Sequence, residues 1–156
     1  MNTLERDYEQ DFHHWIHQHI DLLKAGRVNE LDINHLIEEL ESMANRDRHE
    51  LISHLVILIA HLLKWPFQLK QLDERWGEFK GSSWRASILE QRYRIKAQLE
   101  NSPSLKRYLN EFIVKAYPKA VSLAAKETGF AVNHFPKEFP YLREQLLDDD
   151  FYPLSE

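Results

Sequence analysis

Apolar residues recur at three- and four-residue steps along most of the chain, which is the spacing of amphipathic helices rather than of strands. The first stripe predicts a helix over about residues 4–24, ended by Gly26. The second stripe starts at Asp32, a good N-cap, and continues to Pro66, which we expect to stop the helix. The pattern favours one long central helix over residues 33–64, with two helices joined near residues 45–47 as the alternative.

The second half of the chain predicts two more long helices. Residues 65–82 break the periodicity and are predicted to be a packed loop with a short helix. A third helix then starts at Ser82 or Ser83 and ends near Asn101. The fourth begins with the cap and first-turn proline of Ser102-Pro103 and ends at Thr128-Gly129, and Pro118 is expected to kink or divide it.

The last segment completes the fold prediction. It contains three of the six prolines and many aromatic residues, which predicts a wrapping tail with a short helix over residues 140–147. Sustained period-two alternation does not occur, so we expect no sheet. The prediction is a single all-α domain over residues 1–156, an irregular helical bundle of four main helices plus short helices and a wrapping C-terminal tail.

Composition narrows the function classes. The chain has no cysteine, so disulfide frameworks and zinc ribbons are excluded, and its net charge of −5 disfavours nonspecific binding of nucleic acid. The polar, acidic N-terminus does not resemble a signal peptide, and the longest apolar run, Leu55 to Ala60, is far shorter than the ~18 residues of a membrane span. These features predict a cytoplasmic protein without membrane contact.

Histidine and glutamate side chains on the first two predicted helices form a candidate metal site. Glu50 and His54 are four residues apart, and His61 follows two turns later on the same face. His13 and His17 have the same four-residue spacing on the first helix. Helical bundles bind metals through Glu and His on facing helices, so one divalent transition metal is the alternative cofactor prediction.

The preferred interpretation of these histidines is structural, and it predicts no cofactor and no catalytic residue. His54 and His61 are separated by ~10 Å along the helix axis at ~1.5 Å per residue, too far to share one ion. Their spacing matches neither the di-iron bundles nor the zincins. We therefore expect a buried, hydrogen-bonded His61 and a His54 at the rim. The histidines of the first helix are expected to be mostly solvated: His13, His14, His17 and His19.

Opposite charges on two predicted helices indicate a structural ion pair. Arg85 and Arg92 share one face of the third helix, and Glu39 and Glu41 lie near the start of the second. An arginine beside an apolar stripe needs a bidentate partner when it loses water, so we expect these groups to pair. The alternative, a basic face for phosphate or RNA, is disfavoured by the acidic net charge.

Five segments of the chain are distinctive in combination. They are YEQDFHHWIHQHIDLLKAGR (8–27), LDINHLIEELESMANRDRHELISHLVILIAHLLKW (31–65), SSWRASILEQRYRIKAQLENSPSLKRYL (82–109), AYPKAVSLAAKETG (116–129) and FPKEFPYLREQLLDDDFYP (135–153). In this order they resemble an uncharacterised bacterial family, domain of unknown function 29, which is abundant in cyanobacteria. The resemblance implies an all-helical domain of unassigned function without established catalytic residues. It supplies His61, within HLLKW, but not His54.

Two hypotheses of function follow from the residues. The preferred one is a non-catalytic interaction module or small homo-oligomer that presents aromatic and charged surface to a protein partner. It fits the lack of a Gly-rich phosphate loop, a GxSxG motif and a cysteine nucleophile. The alternative is a metal-binding bundle, extending to a metal-dependent hydrolase-like enzyme, that uses the histidines of the first two helices.

Overall fold

The computed structural model describes residues 3–75 and 82–153, and these residues form α-helices and short 3₁₀ helices without a strand. The α-helices are α1 (Thr3–Gln10), α2 (Phe12–Lys24), α3 (Ile33–Arg75), α4 (Ser82–Asn101), α5 (Leu109–Thr128) and α6 (Arg143–Leu147). The 3₁₀ helices are Val28–Glu30, Pro103–Tyr108 and Val132–His134. The predicted all-α class is confirmed, and α2, α3, α4 and α5 correspond approximately to the four predicted main helices.

The first predicted helix is in fact two helices, so the prediction of one helix over residues 4–24 is wrong. Asp11 interrupts it with φ −148° and ψ 76°, and its carboxylate accepts a hydrogen bond of 3.1 Å from the backbone N–H of His14. Aspartate competes in this way with the intrahelical bonds and favours the N-cap position. As predicted, the second of these helices ends just before Gly26, whose φ of 73° suits a residue without a side chain.

The predicted single helix after Asp32 is confirmed, but its predicted stop at Pro66 is wrong. α3 continues through Pro66 to Arg75, so residues 65–75 are helical rather than part of a loop. Proline lacks the N–H that would bond the carbonyl four residues earlier, which here belongs to Leu62. The hydroxyl of Tyr141 donates to that carbonyl oxygen at 3.4 Å and replaces the missing partner. The rest of the predicted loop, residues 76–81, lies outside the described residues.

The proline positions in the second half are also informative. Pro103 stands in the first turn of a 3₁₀ helix that leads into α5, and the side chain of Ser102 makes no capping bond. Pro118 lies inside α5 without dividing it. The predicted end at Gly129 is confirmed: its φ is 81°, and its N–H bonds the carbonyl of Ala125.

The chain forms two compact units, residues 1–47 and 48–156. In the second unit, α3, α4 and α5 enclose the apolar core, and Leu51, Leu55, Leu58 and Leu62 have no exposed surface. Aromatic residues of the tail pack against this core: Phe130, Phe135, Phe139, Tyr141 and Tyr152. The predicted central position of the leucine-rich segment is therefore confirmed for this unit.

The first unit is built differently. Trp15 is its one buried large apolar side chain among the described residues, and the other buried side chains there are the polar His19 and Asp32. A unit with so little buried apolar surface depends on specific polar contacts to fix its helices.

Residues Ile33–Lys70 of α3 are long and apolar enough to cross a membrane by length and composition alone, with a window of mean hydropathy 1.3. Half of that window is buried inside the protein, and the core helix of a soluble protein passes the same test. The finding is therefore weak support for a membrane span.

Candidate functional site

The polar line on the buried part of α3 begins with Glu50 and His54. The Nδ1 atom of His54 lies 2.8 Å from the amide oxygen of Gln91 on α4, so this nitrogen carries the proton and donates it. The Nε2 atom of the same ring lies 3.7 Å from a carboxylate oxygen of Glu50. His54 is thus a partly buried residue that links two helices of the core.

His61, two turns further along α3, has a different environment. Burial lowers the pKa of His61, and the nearby Lys64 ammonium lowers it further, although the Glu127 carboxylate opposes this. The Nδ1 atom of His61 is buried and has no hydrogen-bond partner among the described residues. Lys64 is 4% exposed and forms an ion pair with Glu127.

The candidate ligands on α2 lie in the first unit and form a pair of their own. His13 and His17 are exposed, and their ring centroids are 4.5 Å apart. Among residues 3–70 and 83–153, whose side chains the structure describes, no group of three or more His, Asp or Glu side chains is arranged to hold a metal ion. The structure therefore brings the five candidates into two pairs, His13 with His17 and Glu50 with His54, and leaves His61 outside both.

Arg92 has different partners from the predicted carboxylates. This fully buried guanidinium donates from Nε to the carbonyl of Leu146 at 2.9 Å. Its Nη2 atom donates to the carbonyl oxygen of Phe151 at 2.8 Å and to that of Gln145 at 3.3 Å. Burial lowers the pKa of Arg92, and the tail acids Asp148, Asp149 and Asp150 partly offset that effect. Arg92 therefore anchors the C-terminal segment through its main chain.

The other members of the predicted ion pair are also placed elsewhere. Arg85 lies over the ring of Trp65 at 5.4 Å and over that of Tyr152 at 5.0 Å, in cation–π contact. Glu39 accepts a hydrogen bond from Tyr8, and Glu41 is exposed. No ion pair between these arginines and glutamates occurs in the part of the chain that the structure describes.

A group of polar and aromatic side chains, which we term the Trp15–Asp32 cluster, joins the helices of the first unit. Its members are Tyr8, Trp15, His19, Asp32, His35 and Glu39. The indole N–H of Trp15 donates to the Asp32 carboxylate at 3.2 Å, and Nδ1 of His35 lies 2.6 Å from the same oxygen. The backbone N–H of Asp32 donates to Nε2 of His19 at 2.9 Å, and Nδ1 of His19 lies 2.8 Å from the carbonyl of Trp15.

Ionisation within this cluster is strongly coupled to its hydrogen bonds. Burial opposes ionisation of Asp32, but hydrogen bonds from His35 and Trp15 outweigh it and lower the pKa of Asp32. The same carboxylate raises the pKa of His35 through their hydrogen bond. The hydrogen bond to Glu39 raises the pKa of Tyr8 to about 12. These shifts favour the charged forms of Asp32 and His35 and the neutral form of the Tyr8 phenol.

Sequence reasoning identified only parts of this cluster. The sequence predicts Asp32 as an N-cap and places Trp15 in the apolar stripe of the first helix. It predicts His19 on a solvated face. His19 is 2% exposed, so that expectation is wrong. Its position four residues after Trp15, on the buried side of the same helix, is the signal that points to its burial.

The first part of α3 also carries an exposed apolar face, which we term the α3 stripe. It comprises Ile33 (51% exposed), Ile37 (47%), Leu40 (63%) and Met43 (57%). Their spacing of four, three and three residues places them within a sector of ~120° at ~100° per residue. The stripe therefore forms one continuous apolar surface rather than four scattered side chains.

Comparisons with known proteins identify the family but not an activity. No curated protein and no solved structure matches the chain. A family model described as "Domain of unknown function DUF29" matches residues 8–152. This match covers nearly the whole chain, including both the Trp15–Asp32 cluster and the α3 stripe, and the protein therefore belongs to the DUF29 family.

Proposed function

We propose that this protein is a non-catalytic helical interaction module of the cytoplasm. The observation that carries the proposal is the α3 stripe, because four large apolar side chains in register on one helix face remain about half exposed or more. Contiguous exposed apolar surface of this kind marks interaction sites in soluble proteins. The absence of cysteine from the sequence supports a reducing compartment.

The Trp15–Asp32 cluster explains why the stripe is not covered from within its own unit. Tyr8 stacks on His35 with ring centroids 3.9 Å apart and donates to Glu39 at 2.6 Å. These contacts hold α1 against the polar side of α3. At ~100° per residue, His35 and Glu39 are turned away from the centre of the stripe, so the cluster leaves the apolar side open.

The acid–base groups of the cluster support a structural role for it. The Asp32 carboxylate is engaged by Trp15 and His35, and the Glu39 carboxylate by Tyr8. A general base needs a lone pair directed at substrate, and a nucleophile needs such a base beside it. Here the hydrogen bonds are directed at neighbouring side chains, which favours positioning of helices over chemistry.

Site-specific photo-crosslinking in cells of the native host tests the proposal. A photoreactive amino acid replaces Leu40 in one variant and Leu142 in the control, since both leucines are 63% exposed but only Leu40 belongs to the stripe. We expect defined crosslinked products from position 40 and none of the same size from position 142. Equal patterns at the two positions would show that the stripe contacts no specific protein and would refute the proposal.

A further inference from the structure

The formal charge of the protein is divided unevenly between its two units. Residues 1–47 contain eleven acidic and four basic side chains, a formal charge of −7, whereas residues 48–156 contain fourteen acidic and sixteen basic ones, a formal charge of +2. The unit that carries the α3 stripe is therefore strongly acidic. Charge of one sign around a binding surface attracts partners of the opposite sign and repels those of the same sign.

Exposed apolar surface is concentrated in the same unit. Eight of the thirteen well-exposed large apolar side chains among the described residues lie there. They are Phe12, Ile20, Leu23 and Val28, together with the four residues of the α3 stripe. The core cluster of the protein, by contrast, consists of residues of the second unit. Acidic charge and uncovered apolar surface thus coincide in residues 1–47.

The local charge repeats this pattern at the stripe itself. Glu41 is exposed and, at ~100° per residue, lies ~40° beyond Ile37 at one edge of the stripe. From Ile33 to Met43 the stripe measures ~15 Å at ~1.5 Å per residue, which equals nearly three helical turns. A partner helix fills such a face with apolar side chains at three- and four-residue steps, and a basic side chain at its edge would meet Glu41.

We infer that the α3 stripe binds a cationic amphipathic helix of another protein. This inference rests on the proposed function and names the chemistry of the partner. A second copy of the chain is a poor occupant, because pairing two stripes would bring two units of charge −7 together. A helix with leucine-like side chains on one face and lysine or arginine beside them matches the stripe in both polarity and charge.

Peptide binding tests the inference on the full-length protein. The probe is a labelled synthetic 18-residue amphipathic helix of leucine and lysine, and its counterpart carries glutamate in place of every lysine. Fluorescence anisotropy measures the dissociation constant of each peptide for the wild type, Leu40→Gln and the matched control Leu142→Gln. A second pair of variants, Glu41→Gln and the exposed control Glu100→Gln, separates the effect of charge from that of apolar contact.

We expect the lysine peptide to bind and the glutamate peptide not to bind. Leu40→Gln should weaken binding at least about tenfold, as is typical of a central apolar contact, while Leu142→Gln leaves it unchanged. Glu41→Gln should weaken binding and reduce its dependence on salt, and Glu100→Gln should do neither. Ile37→Gln repeats the stripe test, and circular dichroism confirms that each variant is folded.

Other outcomes overturn the inference. Equal binding of both peptides, or binding that ignores Leu40→Gln, would show that the stripe does not recognise a cationic helix. A dimer that Leu40→Gln dissociates in sedimentation would identify a second copy as the occupant, and stripe-dependent binding to lipid vesicles would identify a membrane. In each case, a specific crosslink from position 40 shows that the proposed interaction function stands. If position 40 gives no specific crosslink, both proposals fail.

Discussion

Three histidines in apolar helix stripes have three different environments. His19 uses both ring nitrogens in hydrogen bonds to the main chain, and His54 bonds Gln91 on a neighbouring helix. His61 has a buried Nδ1 without a partner among the described residues. Helical spacing identifies which side of a helix a histidine faces, but the group opposite it decides whether the ring is bonded. His19, expected on a solvated face, and His54, expected at the rim, are thus both held by contacts that periodicity does not reveal.

Arg92 provides a prediction at the scale of one residue. Arg92→Ala removes a charged donor from the carbonyls of Gln145, Leu146 and Phe151, of which the bond to Leu146 is buried. We expect the melting temperature to fall by at least about 3 °C, since bonds to a charged donor contribute ~1.5–3 kcal/mol and each kcal/mol shifts Tm by ~2–4 °C in a protein of this size. Differential scanning calorimetry measures the shift.

The control for this substitution is Arg94→Ala on the same helix. Arg94 is exposed and forms an ion pair with Glu90 four residues earlier, an arrangement that contributes less than about 0.5 kcal/mol. Equal changes in Tm for the two variants would contradict the anchoring role of Arg92.

The Asp32–His35 pair predicts a pH dependence of stability. The lowered pKa of Asp32 contributes stability that is lost as pH falls through that pKa, and the raised pKa of His35 contributes stability that is lost as pH rises through its pKa. We expect Asp32→Asn to lower the pKa of His35 towards its ordinary value, because the partner charge is gone. An NMR titration of the histidine side chains measures this change, with the exposed Asp21→Asn as control. An unchanged His35 titration in Asp32→Asn would refute the pairing.

At the scale of elements, the interrupting residues behave differently from one another because their surroundings differ. Asp11 ends a helix because its carboxylate takes a backbone N–H three residues ahead. Pro66 does not end α3, since the Tyr141 hydroxyl serves the carbonyl of Leu62 and the surrounding helix is packed in the core. Helix class and most helix ends were therefore predictable from local pattern. The continuation of α3 beyond Pro66 was not predictable, because the hydroxyl that bonds the Leu62 carbonyl belongs to Tyr141, 79 positions after Leu62 in the sequence.

This compensation predicts a coupling between two side chains. Tyr141→Phe leaves the Leu62 carbonyl without its hydroxyl donor, and we expect it to cost about 0.5–1 kcal/mol of unfolding free energy. Pro66→Ala restores an intrahelical N–H for the same carbonyl, so Tyr141→Phe should cost less in that background. Denaturant unfolding of the two single variants and the double variant gives the coupling energy. Additive changes would mean that the hydroxyl does not stand in for the missing N–H.

At the scale of the whole molecule, stability and uncovered surface are distributed unequally. The apolar core lies in residues 48–156, and residues 1–47 depend on the Trp15–Asp32 cluster. The sequence pattern predicts an apolar face for every long helix. Periodicity records that a helix has an apolar side, and it does not record whether that side is covered. The exposed Ile33 and the buried Leu51 belong to the same helical pattern and differ only in their neighbours.

Hydrogen exchange should reveal this division. We expect amides of α2 and of residues 33–43 to exchange at least about tenfold faster than those of residues 51–63 on the same long helix, because local opening costs less where few apolar contacts are buried. Mass spectrometry of peptides along α3 measures the gradient. Uniform protection from one end of α3 to the other would show that the first unit is as stable as the core.

The ring of His19 connects α2 to the start of α3 in the way that a peptide group does, since Nδ1 donates a hydrogen bond to the carbonyl of Trp15 and Nε2 accepts one from the N–H of Asp32. Residues 25–32 lie between α2 and α3, and the His19 side chain holds the last of them, Asp32, whereas residues 25–31 are exposed or half-exposed. We therefore expect residues 25–31 to tolerate changes in length and sequence as long as the imidazole remains, and lengthening this segment by a few residues should leave both helix ends where they are.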